Sequence, residues 1–153
     1  MTSDYLFDTS AIGKHYHPEV GSAKVDTLLA TGGVLQFVSR QTVVEFHSAM
    51  AKKVRTGHLT PARFHDLTRR FRGDISARRL RVVRLLVSHF RTAERLVRRL
   101  ALTQNLRTLD AIQLAVALGL NDPARPITFV CADQALCTTA TAEGLTVVNP
   151  ELP

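Results

Sequence analysis

Cysteine is scarce in this sequence: Cys131 and Cys137 are the only two among 153 residues. Neither their spacing nor their neighbours suggest zinc, and without a secretory signal a disulfide is not expected. Two buried or inert thiols in a reducing, cytoplasmic setting are the expectation. Long hydrophobic runs are also missing. No uncharged apolar stretch approaches the roughly 18 residues of a membrane-spanning helix. Met1-Thr2-Ser3-Asp4 passes directly into a strand-like run, without the basic start and apolar core of a signal peptide. Internal repeats, low-complexity tracts and linkers are absent, so a single domain over residues 1–153 is expected.

What is present fits a globular domain with a real core: 45% hydrophobic and 22% charged residues. The net charge of +7 is unevenly placed. From Arg63 to Arg107 thirteen arginines face Asp66, Asp74 and Glu94, a net of +10; the remaining seven Lys and Arg face ten Asp and Glu, a net of −3. A basic segment on an otherwise acidic chain fits a polyanion, most simply nucleic acid, or an acidic protein partner. The plain alternative is a solvated face of arginine-rich helices.

Hydrophobic periodicity organises the chain. Residues 5–8 read as a strand, followed by an irregular passage around Lys14–Glu19 and a helix from Ser22 to Ala30. Val34–Val38 is a second strand, and Ser39 caps a helix to Arg55. Thr60-Pro61 starts another helix, which Gly73 is expected to break. Leu80–Leu86 reads as a third strand. A helix over Ser88–Thr103 carries an apolar stripe of Phe90, Ala93, Leu96, Val97 and Leu100. Thr108 is expected to cap a helix apolar nearly all round. Ile127–Cys131 forms a fourth strand, Asp133 starts a short helix to Glu143, and Thr146–Val148 forms the last strand. Strands alternating with helices argue an α/β fold with a central parallel sheet covered on both faces.

Four carboxylates share a setting on this map. Asp8 ends the first strand, Glu45 lies early on the helix after the second, Asp110 opens the apolar helix, and Asp133 follows the fourth strand. Carboxyl ends of parallel strands lie on one side of a sheet, where ligands bind. Carboxylates gathered there repel one another unless a cation neutralises them. Oxygen donors without His or Cys suit Mg²⁺ or Mn²⁺, and such ions equip a site for phosphodiester hydrolysis by an activated water. Each acid also has a plainer reading. Asp8, Asp110 and Asp133 are natural helix-cap or first-turn acids, and Glu45 suits a half-exposed helix surface.

The segments Asp8-Thr9-Ser10-Ala11, Glu45 in its helix, Leu106-Arg107-Thr108-Leu109-Asp110-Ala111, Phe129-Val130-Cys131-Ala132-Asp133 and Gly144-Leu145-Thr146-Val147-Val148-Asn149-Pro150 together resemble the PIN-domain ribonucleases. Within them the chain is most similar to the VapC toxins of bacterial toxin–antitoxin pairs. The resemblance implies a three-layer α/β/α sandwich and a metal-dependent endoribonuclease acting on structured RNA of the tRNA or rRNA class. It implies Mg²⁺ or Mn²⁺ on Asp8, Glu45, Asp110 and Asp133, which would be both the metal-binding and the catalytic residues, supported by Ser10 or Thr9. It also implies a homodimer and a cognate antitoxin protein.

A rival from another class is a non-catalytic RNA- or protein-binding module using the same acidic cluster. A phosphatase resembling the haloacid dehalogenases would need a second Asp two residues after Asp8, where Ser10 stands. A structure-specific DNA nuclease of related fold would need elements this short chain lacks. His15 and His17 read as a surface turn beside Pro18, and His47 lies on a different helix face from Glu45.

Overall fold

A computed structural model describes residues 2–153. Five short strands form one parallel sheet in the order β3-β2-β1-β4-β5. These are β1 (Asp4–Phe7), β2 (Gln36–Ser39), β3 (Arg81–Val83), β4 (Ile127–Val130) and β5 (Thr146–Val148). Side chains alternate across the sheet, as strand geometry requires. Phe7, Val38 and Val130 enter one apolar layer, and Leu6 and Phe129 enter the other.

The first layer is built by α1 (Thr9–Tyr16), α2 (Ser22–Leu29), α3 (Arg40–Arg55) and α4 (Pro61–Ser76). The second is built by α5 (Val87–Leu100), α6 (Thr108–Leu120) and α7 (Gln134–Ala142). The result is a three-layer α/β/α sandwich. From β1 the chain steps outward to β2 and β3, then returns to place β4 on the other side of β1. The crevice between the carboxyl ends of β1 and β4 is therefore the topological switch point.

Several expectations needed correction. The first strand stops at Phe7, and α1 occupies residues 9–16, including the start of the stretch read as irregular. Its last turn is secured by tertiary pairing: buried Lys14 meets Glu19 at 3.2 Å and Glu151 at 2.6 Å. α4 runs through Gly73 to Ser76 because buried Leu67 and Phe71 anchor it and Asp74 accepts a hydrogen bond from Tyr16. An interior glycine costs only about 1 kcal/mol in a helix, which such contacts outweigh. β3 is limited to three residues, since only Arg81–Val83 find partners on β2. Phe90 is half exposed rather than part of the α5 core stripe. Thr108 is the first residue of α6, and Arg107 holds the cap position.

The start of α3 is tied to α6 by a buried polar link. Ser39 Oγ donates to Gln113 Oε1 at 2.7 Å, and Gln113 Nε2 donates to Thr42 Oγ1 at 3.2 Å. Gln113→Leu removes both bonds and leaves the two buried hydroxyls only each other and the Thr42 N–H, at a cost of about 1 kcal/mol per lost bond. The expected loss, read by urea unfolding, is about 2 kcal/mol or more; an unchanged midpoint would remove the link from the account.

Candidate active site at the carboxyl edge of the sheet

All four sequence-predicted acids lie at this edge. Asp8 follows β1 and is the N-cap of α1, as the capping reading expects. Its Oδ2 accepts from the Ser10 hydroxyl at 2.7 Å and the Ser10 N–H at 3.2 Å. Ser10 Oγ in turn accepts from the Ala132 N–H at 3.0 Å, joining the β1 end to the loop after β4. Glu45 lies on α3, where its Oε2 accepts from the Thr9 hydroxyl at 2.7 Å. Thus both hydroxyl residues after Asp8 support an acid, Ser10 under Asp8 and Thr9 under Glu45.

Asp110 sits in the first turn of α6 and accepts from Arg107 through the backbone N–H and Nε. Asp133 caps α7 through the Leu136 N–H at 3.0 Å. Among the described residues, no three His, Cys, Asp or Glu side chains come together closely enough to hold an ion. The acids share an edge and feel each other's charge across it.

That charge is costly. Burial pushes the Asp8 carboxyl up from its ordinary pKa; the Ser10 hydrogen bonds oppose this, and the charge of Asp110 adds to it. Burial also raises Glu45, against the Thr9 hydrogen bond and with the charges of Asp8 and Asp110. No Lys, Arg or His among the described residues pairs with either one.

Folding with a raised carboxyl pKa means that the native state holds the proton more tightly than the unfolded chain. Stability from such a group is fully present below the ordinary carboxylate range and is lost as pH rises through the raised value. Asp8→Asn keeps a capping acceptor and deletes this loss. In EDTA at neutral pH the variant is expected to melt a few degrees above wild type, with the advantage vanishing as the pH falls into the carboxylate range. Thermal melts across that range are the measurement, and a variant that melts below wild type at neutral pH contradicts the argument.

Three contributors escaped sequence reasoning. Gln41 donates to the Leu109 carbonyl at 2.9 Å and to Glu45 at 3.4 Å, bridging α3 and α6 beside the acids. Cys131 is a buried free thiol, as expected, yet its Sγ lies 3.8 Å from Asp8 Oδ2. Hydrogen bonding with Cys137 and burial push its pKa up, so it faces Asp8 as a neutral thiol. Arg107, read as part of the basic block, is paired with the acids. Only the position of Arg107 three residues before Asp110 signalled this beforehand.

The sequence matches the PIN domain over residues 5–143, nearly its whole length. The chain belongs to the PIN domain family. Solved structures share the fold of this PIN domain at low identity. VapC20 of Mycobacterium tuberculosis, described as a sarcin–ricin loop cleaving toxin, is 16% identical, with a TM-score of 0.66 over 96% of this chain and 100% of that one. VapBC2 of Rickettsia felis, bound to a promoter DNA fragment, is 14% identical, with a TM-score of 0.67 over 95% and 97%. FitAcB of Neisseria gonorrhoeae is 20% identical, with a TM-score of 0.65 over 95% and 97%. A comparison with curated protein sequences gives no match.

Proposed function

We propose that this PIN domain is a divalent-metal-dependent endoribonuclease, cutting structured RNA of the tRNA or rRNA class as the toxin of a toxin–antitoxin pair. The observation that carries the reading is the pair of carboxylates, buried Asp8 and half-buried Glu45, which have no cationic partner among the described residues at the switch point beside Asp110 and Asp133. An all-carboxylate oxygen donor set fits a hard ion such as Mg²⁺ or Mn²⁺. Since no three of these side chains stand within direct reach of one ion, Asp8, Asp110 and Asp133 would hold it in part through waters, with Glu45 completing the set. When bound, such an ion supplies an acidified water and neutralises charge at the phosphate.

The chain's own residues account for the rest. Glu45, raised by burial and oriented by Thr9 and Gln41, is placed to accept the proton of an attacking water. Ser10 fixes the Asp8 rotamer through two hydrogen bonds, from its hydroxyl and its N–H, to the same Oδ2. Arg40 at the head of α3 and Arg84 after β3 are exposed at the same edge and suit the phosphates flanking the cut.

A cognate antitoxin and a second copy of the chain are the proposed protein partners. Exposed Val44, Leu86, Val87, Phe90 and Leu109 supply apolar surface for them, and the FitAcB and VapBC2 neighbours support this reading. A cytoplasmic location belongs to the same proposal; no helix among the described residues is long and apolar enough to cross a membrane.

The test is purified protein incubated with total RNA, with and without Mg²⁺ or Mn²⁺, followed by mapping of new 5′ ends. Discrete ends that appear only with the metal are expected. RNA binding without any cleavage would favour the binding-module alternative.

A further inference from the structure

Among the described residues, Arg107 is the one cation paired with any of the four acids. Its Nε donates to Asp110 Oδ2 at 3.0 Å and its backbone N–H donates to the same oxygen at 3.3 Å. A terminal nitrogen stands 3.8 Å from Asp133 Oδ2. The guanidinium therefore spans two carboxylates from separate elements, the first turn of α6 and the loop after β4. It cannot relieve the contact by losing its proton.

This pairing restricts what the acids can offer another cation. Asp110 Oδ2 already accepts twice, and Asp133 Oδ1 accepts from Leu136. Asp110 Oδ1 and Asp133 Oδ2 remain, and the latter faces the guanidinium. An ion drawing on both carboxylates meets a positive charge already in place. The Arg107 side chain is 69% exposed, against 17% for Asp110. An ion pair this open to water exchanges readily, and moving the arginine outward leaves little surface unburied.

The geometry points to Arg107 as an exchangeable counter-cation: it holds Asp110 and Asp133 together until a divalent ion enters, then swings outward to grip a phosphate of the bound strand. This rests on the proposed metal-dependent reading of the site. The planar fork that spans two carboxylates also matches a phosphate, and exposed Arg40 and Arg84 line the same edge.

The experiment compares wild type, Arg107→Gln, Arg107→Lys and Asp110→Asn by Mn²⁺ titration without RNA, then by cleavage at saturating Mn²⁺. Arg107→Gln removes a like charge, so Mn²⁺ is expected to bind roughly three- to tenfold tighter, while kcat/KM for RNA falls about tenfold, chiefly through KM. Arg107→Lys should keep wild-type Mn²⁺ affinity and recover part of the cleavage. Arg107→Gln should also melt below wild type in EDTA and recover with Mn²⁺; a merely structural arginine would leave it low in both. Unchanged or weaker Mn²⁺ binding by Arg107→Gln, while Asp110→Asn loses the ion, overturns this role alone. Equal Mn²⁺ titrations for wild type and Asp110→Asn overturn the metal-dependent reading, and this role with it.

Discussion

Asp110→Asn is expected to lower RNA cleavage by about 10³-fold or more, equivalent to roughly 4 kcal/mol of transition-state stabilisation. The fold should survive, because an amide oxygen can still accept the Arg107 backbone N–H at the start of α6. What disappears is the negative charge that Arg107 and the proposed ion share. Rates on a single defined RNA, with circular dichroism as the folding control, give the result. Excess EDTA should silence the wild type to the same degree. Full activity in EDTA would sink the metal-dependent mechanism whatever the variant does.

Phe46→Ala is expected to cost about 3–5 kcal/mol of stability, the range for emptying an aromatic core position. Phe46 is fully buried, stacked 4.0 Å from Phe71 on α4 and edge-on to Tyr16 of α1 at 5.3 Å. It is therefore the point at which three helices of one layer meet. It also adjoins Glu45, so its packing sets the rotation that turns Glu45 toward Thr9. Urea unfolding measures the loss, and cleavage should fall too under conditions where the variant remains folded. A cost below about 1 kcal/mol would mean that the layer repacks without it.

Much of this architecture is legible in short-range pattern. Ser39 before an amphipathic run gave the start of α3, Thr146–Val148 was read at its true limits, and the apolar run after Thr108 gave a helix buried on nearly every side. The acids were legible for the same reason: each sits where an apolar strand ends or within the first two turns of a helix, and a parallel sheet puts those places on one edge. The end of α1 and the continuation of α4 through Gly73 were not legible. Lys14 with Glu151 and Tyr16 with Asp74 secure them, across 137 and 58 residues of chain.

Local pattern thus decides the alternation of strands and helices, the parallel sheet and the placement of Asp8, Glu45, Asp110 and Asp133 at its carboxyl edge. These follow from hydrophobic period and capping chemistry, which act over a few residues. Tertiary structure decides which partners those acids have. Among the described residues it leaves buried Asp8 and half-buried Glu45 without a paired cation, brings the Cys131 thiol against Asp8, and sets Arg107 between Asp110 and Asp133. A charge pattern along the chain records how many arginines there are. Only packing brings one of them among the acids, because ion pairing depends on distances between side chains that the fold alone sets.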